Sequence, residues 1–229
     1  LDEYVQGSGW GASTWGDGTW GSTSALSATN QLRLWTHDNF GEDLVMNVRS
    51  GGIYYWDNSD GLTTRAKALS DLTNANLAPT LGFQAIVSDI DRHVIILGAD
   101  PINTAGTART GAVDPMFVCW CDQENITEWE PKSINTAGSV RLSAGSLIVG
   151  GTRARQEILI WTDTSLYSMK FIGQPFIFST NLVNEGVGLI GPKAMINSPV
   201  GVFWMDKKGV YNYTGQINPV PCDVHDYVF

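Results

Sequence analysis

Four stretches of this chain repeat one pattern: an apolar strand, a polar connection, and a second strand that closes on aromatic residues. They are Asp43-Leu-Val-Met-Asn-Val48 with Gly52-Ile-Tyr-Tyr-Trp-Asp57, and His93-Val-Ile-Ile-Leu-Gly98 with Met116-Phe-Val-Cys-Trp-Cys121. The third is Glu157-Ile-Leu-Ile-Trp-Thr162 with Ser165-Leu-Tyr-Ser-Met-Lys170, and the fourth is Gly201-Val-Phe-Trp-Met-Asp206 with Gly209-Val-Tyr-Asn-Tyr213. Recurrence at roughly 45 to 65 residues matches a four-stranded propeller blade, a unit that buries its apolar faces only against copies of itself. The expected fold is therefore all-β, built of β-propeller blades of short antiparallel strands. A β-sandwich, which also has many evenly spaced short strands, is the competing architecture.

The chain has 229 residues, of which 43% are hydrophobic, with nine Trp and seven Tyr. That composition excludes a disordered chain and supports a sizeable core in one or two domains. No run reaches the roughly 18 apolar residues of a membrane helix, and the start lacks the basic and apolar regions of a signal peptide. No membrane partner is expected. The chain starts at Leu1 and stops at Phe229 inside what reads as a structured segment, so it is read as an excerpt of a longer protein.

The net charge of −9 argues against a nucleic-acid-binding module, which needs clustered Lys and Arg to displace counterions from phosphate. An acidic surface does suit passage of DNA without adhesion, because like charges keep a polymer moving along a channel. Cys119 and Cys121 flank Trp120 on one strand and share a face; with Cys222 they make an odd count. They read as reduced, partly buried thiols of a protein assembled in a cytosol, not as a disulfide framework. His37, His93 and His225 stand far apart, so no metal site and no cofactor is expected.

Residues 1–30 form a separate Trp/Gly-rich segment ahead of the propeller part, 31–229. Trp10, Trp15 and Trp20 recur every five residues with Gly beside each, a pattern with neither helical nor strand period. Two readings stand side by side. The segment is pinned to its own domain by three Trp anchors, or it docks on a neighbouring subunit, where Trp is enriched among anchors. Residues 65–76 are the one helical candidate, with Ala66, Leu69 and Leu72 on a face long enough for only one or two turns. Residues 99–114 should form a long exposed loop inside the second blade. Asp163-Thr164 and Asp206-Lys-Lys-Gly209 read as hairpin turns, with Gly209 supplying a positive φ.

Ser88-Asp-Ile-Asp-Arg-His93 is the densest polar cluster and the natural place to look for acid–base chemistry. Its two Asp lie two residues apart between apparent strands, where Asp and Ser more often cap a turn. No nucleophile elbow, Walker loop or dinucleotide fingerprint is present. Gly7-Ser-Gly-Trp-Gly-Ala12 lacks the strand and helix that phosphate cradling requires. Asn125-Ile-Thr127 matches a glycosylation sequon in a chain with no secretory signature, and is read as a chance match.

Longer strings carry a family resemblance. Ser88-Asp-Ile-Asp-Arg-His-Val-Ile-Ile-Leu-Gly98, Trp120-Cys-Asp-Gln-Glu-Asn125, Ser146-Leu-Ile-Val-Gly-Gly151, Gln156-Glu-Ile-Leu-Ile-Trp-Thr-Asp163 and Leu166-Tyr-Ser-Met-Lys-Phe-Ile-Gly173 resemble the tail nozzle, or tail tubular, proteins of short-tailed bacteriophages and their packaged-DNA stabilisation relatives. The Trp-Gly lead-in and the closing Pro221-Cys-Asp-Val-His-Asp-Tyr-Val-Phe229 belong to the same resemblance. It implies a structural virion protein of the tail, assembled in the host cytoplasm as a ring of identical copies that continues the DNA channel below the portal and adaptor. Implied partners are other copies, the adaptor and other tail proteins, and transiently DNA. No enzymatic residue comes with the family. Cys121 stands where Ser is more usual and Ile126 where Pro would fit. Competing functions are a glycan- or receptor-binding propeller of the tail and a glycan-cleaving enzyme.

Overall fold

A computed structural model describes residues 34–88, 90–223, 227 and 229. Trp10, Trp15 and Trp20 lie outside the described residues, as does the rest of the 1–30 segment. From Trp35 onward the chain folds into four antiparallel sheets in sequence order. The first contains β1 (Trp35–Phe40), β2 (Asp43–Val48), β3 (Gly51–Trp56) and β4 (Lys67–Ala68), with β5 (Leu81–Gly82) also pairing with β3. The second contains β6 (Gln84–Val87), β7 (Val94–Leu97), β8 (Phe117–Trp120) and β9 (Gly138–Arg141). The third contains β10 (Ile148–Arg153), β11 (Ile158–Thr162), β12 (Ser165–Gly173) and β13 (Ile177–Glu185). The fourth contains β14 (Met195–Ser198), β15 (Gly201–Asp206), β16 (Gly209–Tyr213) and β17 (Ile217–Pro219).

The four repeated segment pairs are the second and third strands of these sheets, the ones with a neighbour on both sides. Cross-strand register decides which residues share a face. In blade 2, Ala85, Ile96 and Cys119 stand opposite one another, while Ile86, Ile95 and Trp120 line the other side. The first set packs with Val45 and Ile53 of blade 1; the second packs with Ile158, Ile160, Tyr167 and Met169 of blade 3. The far side of blade 3, with Leu159, Trp161 and Leu166, meets Val202, Trp204 and Tyr213 of blade 4. Each inner sheet is thus apolar on both faces and sandwiched between its sequence neighbours, which is propeller packing.

The innermost strands approach closely. Gln84 of β6 donates to the Gly151 carbonyl at 2.8 Å and accepts from the Gly151 N–H at 2.9 Å. A Cβ on Gly151 would come within 2.7 Å of Leu97 Cδ1 and 3.0 Å of the Leu159 carbonyl, so only glycine lets β10 lie this near β6. On one side of the blades Arg49 reaches across Phe83, 4.9 Å from its ring, to the Val149 carbonyl at 2.9 Å. On the other, Arg153 pairs with Asp38 at 3.2 Å.

Several sequence expectations are corrected. Residues 65–76 do not form an α-helix: Lys67–Ala68 is β4, and Leu69–Asp71 is a single 3-10 turn flanked by extended residues Ala68 and Leu72. Leu69 is fully buried and Leu72 packs against the same core, and three-residue spacing suits a 3-10 turn as well as an α face. Of the four strand tryptophans, Trp120, Trp161 and Trp204 are buried, but Trp56 is half-buried because no sheet among the described residues packs on its side of blade 1. The 99–114 connection is exposed along 104–108, yet Ala99 and Asp100 at its root are fully buried. Cys119 and Cys121 are free thiols, buried completely and not partly. The Asp206–Gly209 hairpin is found as expected: Asp206 pairs with Gly209 around Lys207 and Lys208, and Gly209 has a positive φ of 155°.

Candidate interaction site

β12 and β13 are nine residues each, whereas the other strands have two to six. Their inner halves belong to blade 3; their outer halves project as a hairpin. Phe171 pairs with Phe178 and Gly173 with Ile177, leaving Gln174, Pro175 and Phe176 at the tip. Phe176 is 74% exposed, and Ile172 and Phe171 are exposed behind it. Ile90 in the β6–β7 turn and Val200 in the β14–β15 turn are exposed as well. In a meander every second turn returns to the same face, so these turns and the hairpin tip crowd one face of the propeller. Water-facing aromatic and aliphatic side chains clustered in this way mark an interaction surface.

Between the hairpin and the turns of blades 2 and 4 lies a cleft of about 1120 Å³, lined among others by Arg155, Glu157, Lys170, Phe171, Val200 and Tyr213. Glu157 accepts a hydrogen bond from the Ser168 hydroxyl and an ion pair from Lys170 at 3.3 Å. Burial and the neighbouring Glu157 carboxylate both raise the Tyr213 pKa, so its phenol stays protonated at neutral pH. The cleft combines aromatic walls, aliphatic turns and an exposed Arg155 at its rim. Such a surface suits a peptide segment or a sugar, held by stacking and a few polar contacts.

The Ser88–His93 cluster is a turn between β6 and β7. Ser88 N–H donates to the His93 carbonyl at 2.8 Å, Arg92 N–H to the Ser88 carbonyl at 2.9 Å, and the Ser88 hydroxyl to Asp91 at 2.8 Å. Asp91 and His93 are buried, and Arg92, at φ 52°, turns outward to Glu124 at 3.4 Å. Thr136 donates its hydroxyl proton to Asp122 at 2.6 Å and lies 3.0 Å from His93 Nε2. The Thr136 oxygen is therefore an acceptor for Nε2–H, which leaves Nδ1 as an unprotonated atom without a hydrogen-bond partner. The ring sits beside Phe171 and edge-on to Phe178 at 5.2 Å. Burial lowers its pKa, with the Asp91 and Asp122 charges opposing.

A repeated device was not visible from sequence. Asp100 accepts from Thr80 N–H at 3.0 Å, the Thr80 hydroxyl at 2.6 Å and Leu81 N–H at 3.3 Å. One blade later Asp163 accepts from Ser146 N–H at 2.8 Å, the Ser146 hydroxyl at 2.7 Å and Leu147 N–H at 3.5 Å. In each case a carboxylate beyond the second strand clamps the Ser/Thr-Leu pair that leads into the first. Burial acts to raise the Asp163 pKa, but these donors outweigh it and hold the carboxyl below its ordinary range.

Burial pushes the Cys119 thiol up to about 11 and Cys121 up to about 12, so both are inert thiols. Among the described residues no group of three His, Cys, Asp or Glu is placed to hold a metal ion, and no helix is long and apolar enough to cross a membrane. The residues that make the interaction face, Phe171, Ile172 and Phe176 above all, escaped sequence reasoning. The available signal was the apolar pair before Gly173-Gln-Pro175 and the apolar run after it, at the end of a strand already identified.

No protein-family model and no curated protein matches the chain. Among solved structures the chain is similar to YCF48 from Cyanidioschyzon merolae, with 12% identity and a TM-score of 0.42, over 79% of this chain and 56% of that one. The chain thus spans little more than half the length of that neighbour. Its own sheets define the fold: an all-β propeller arrangement of four-stranded antiparallel blades.

Proposed function

We propose that this chain is a structural component of a phage tail, a propeller-bearing subunit of the nozzle ring that continues the DNA channel below the portal and adaptor. The reading rests on the ordered strings that resemble the nozzle family, and the observation that carries it furthest is the projecting β12–β13 hairpin. Its exposed Phe171, Ile172 and Phe176 stand on a rigid scaffold, as a docking element does. The densest polar cluster serves a turn, and the reading assigns no enzymatic role. The net charge of −9 fits a wall that DNA passes without adhering. Because the innermost strands are joined by Gln84, Gly151 and Arg49, the conduit in this reading is the space enclosed by the ring of subunits and not an axis through the blades. Antibody labelling of purified particles tests it: label at the tail vertex supports the nozzle, and label along fibres or none at all opposes it.

The cleft beside the hairpin favours a second reading, a glycan- or receptor-binding propeller of the tail. Phe171 and Tyr213 offer stacking faces, and Arg155 and Glu157 polar contacts. Titration with host surface glycans separates the two readings. Saturable binding lost in Tyr213→Ala supports a receptor role, and no binding at millimolar sugar leaves the cleft to protein partners.

A further inference from the structure

The whole chain carries 23 acidic against 14 basic side chains. A cavity of about 630 Å³ between blades 1 and 2 follows that balance, with Glu42, Asp43, Asp57 and Glu124 around Arg92. The cleft beside the β12–β13 hairpin reverses it: Arg153, Arg155 and Lys170 line it with only Asp91 and Glu157. Both carboxylates are already occupied. Asp91 is buried and accepts from the Ser88 hydroxyl at 2.8 Å. Glu157 has 12% of its side chain exposed and is held by the Ser168 hydroxyl, the Lys170 ammonium at 3.3 Å and the Tyr213 phenol.

Two of the three basic groups keep donors to spare. Arg153 is committed to Asp38 at 3.2 Å and to the Val87 carbonyl at 3.3 Å. Lys170 is 51% exposed, so its ammonium retains N–H donors beyond the one that meets Glu157. Arg155 stands in the β10–β11 turn, which the Ala154 N–H closes onto the Glu157 carbonyl at 2.7 Å. Its backbone is fixed, its side chain is exposed, and among the described residues its guanidinium has no ion-pair partner. The charged groups that the cleft offers a ligand are therefore donors, and they suit an acceptor that brings negative charge. A guanidinium forks onto a carboxylate with two parallel hydrogen bonds. Phe171, 38% exposed in the same wall, offers a ring on which the apolar face of a sugar can lie.

We propose that this cleft binds a carboxylate-bearing sugar of an acidic polysaccharide, with the carboxylate on Arg155 and Lys170 and the pyranose ring against Phe171. The inference rests on the glycan reading of the cleft and adds the charge that the ligand must carry; it does not depend on where in a particle the chain sits.

Calorimetric titration of the purified 229-residue chain with matched acidic and neutral sugars is the test. Tetragalacturonate and sialyllactose are the acidic probes, and the methyl ester of the first and plain lactose are their neutral counterparts. At least one acidic probe should bind with a Kd of about 1 mM or tighter, and its neutral counterpart at least roughly tenfold more weakly. Which acidic probe binds distinguishes a uronic acid from a sialic acid as the source of the carboxylate. Binding should weaken from about 50 to about 300 mM salt, and Arg155→Gln should cost at least roughly tenfold. Arg155 is exposed in a turn, so the variant should keep the parent's thermal transition; Lys170→Gln replaces it if it does not. Equal binding of acidic and neutral sugars overturns the inference and leaves the glycan reading standing. Absence of binding by all four probes overturns both. Tetraglutamate bound as tightly as the acidic sugars shows a site for acidic peptide and overturns the assignment to a sugar, as does binding indifferent to both substitutions.

Discussion

His93 stands fully buried between the rings of Phe171 and Phe178, where a positive charge has no water and one ring nitrogen has no partner. Its folded pKa lies below the unfolded value of about 6.5, so the unfolded chain binds the extra proton first. Stability is therefore full above about pH 6.5 and falls as pH drops from there towards the folded pKa. Thermal melts between pH 7.5 and 5 should show this decline, and His93→Gln should flatten it; an unchanged slope in the variant removes His93 as its source. The Asp clamps give a second expectation. Asp100 is fully buried and accepts three hydrogen bonds, so Asp100→Ala should cost about 2–3 kcal/mol by denaturant titration. Asp163 holds the same pattern half in water, and Asp163→Ala should cost about 1 kcal/mol. Equal costs would mean that burial does not set the value of the clamp. The sequence could not show these clamps, because each carboxylate finds its donors 16 to 20 residues away.

Elements were legible where composition decides them. Val94–Leu97 and Ile158–Thr162 are strands because β-branched and aromatic residues are buried on both faces of a central strand, and Gly201–Asp206 shows the alternation of a strand buried on one face. The first and fourth strands were harder. β9 (Gly-Ser-Val-Arg) and β13 beyond Phe178 are polar, since an outer strand meets water, and β14 offers only Met-Ile. The 65–76 segment misled because Leu at three-residue spacing fits both an α face and a 3-10 turn; burial of Leu69 in the core shared by blades 1 and 2 goes with the latter. The hairpin prediction belongs at this scale. Ile172→Ser with Phe176→Ser changes residues exposed on the projecting hairpin and outside the core clusters, so the melting of the isolated chain should stay within about 0.5 kcal/mol of the parent. Incorporation into particles should fall at least tenfold. Normal incorporation would show that the hairpin is not the docking element, and unfolding would show that it belongs to the core.

For the whole molecule, the four repeated segments pointed to the propeller over the sandwich, because in a chain with no long helix a sheet apolar on both sides is covered by further sheets on each side. They said nothing about closure, which depends on faces that only the register reveals. The interaction face was likewise hidden, because it is assembled from turns of blades 2, 3 and 4 that are distant in sequence. The acidic balance predicts that the assembled chain does not retain double-stranded DNA at moderate salt; submicromolar, salt-sensitive retention in a filter assay would contradict a passive wall. The Trp10, Trp15 and Trp20 anchors make a separate expectation. Replacing all three with Ala should abolish incorporation into particles and leave the propeller's melting unchanged, whereas a lowered melting temperature would assign the segment to its own domain. The central claim, that these blades are wall units of a tail ring, is tested most directly by an electron-microscopy reconstruction of intact particles. The account predicts density for the four-stranded blades in a ring around the tail axis below the adaptor, with the β12–β13 hairpin at a subunit contact. Blades found only on peripheral fibres, or no copy of this chain in the particle, would contradict it.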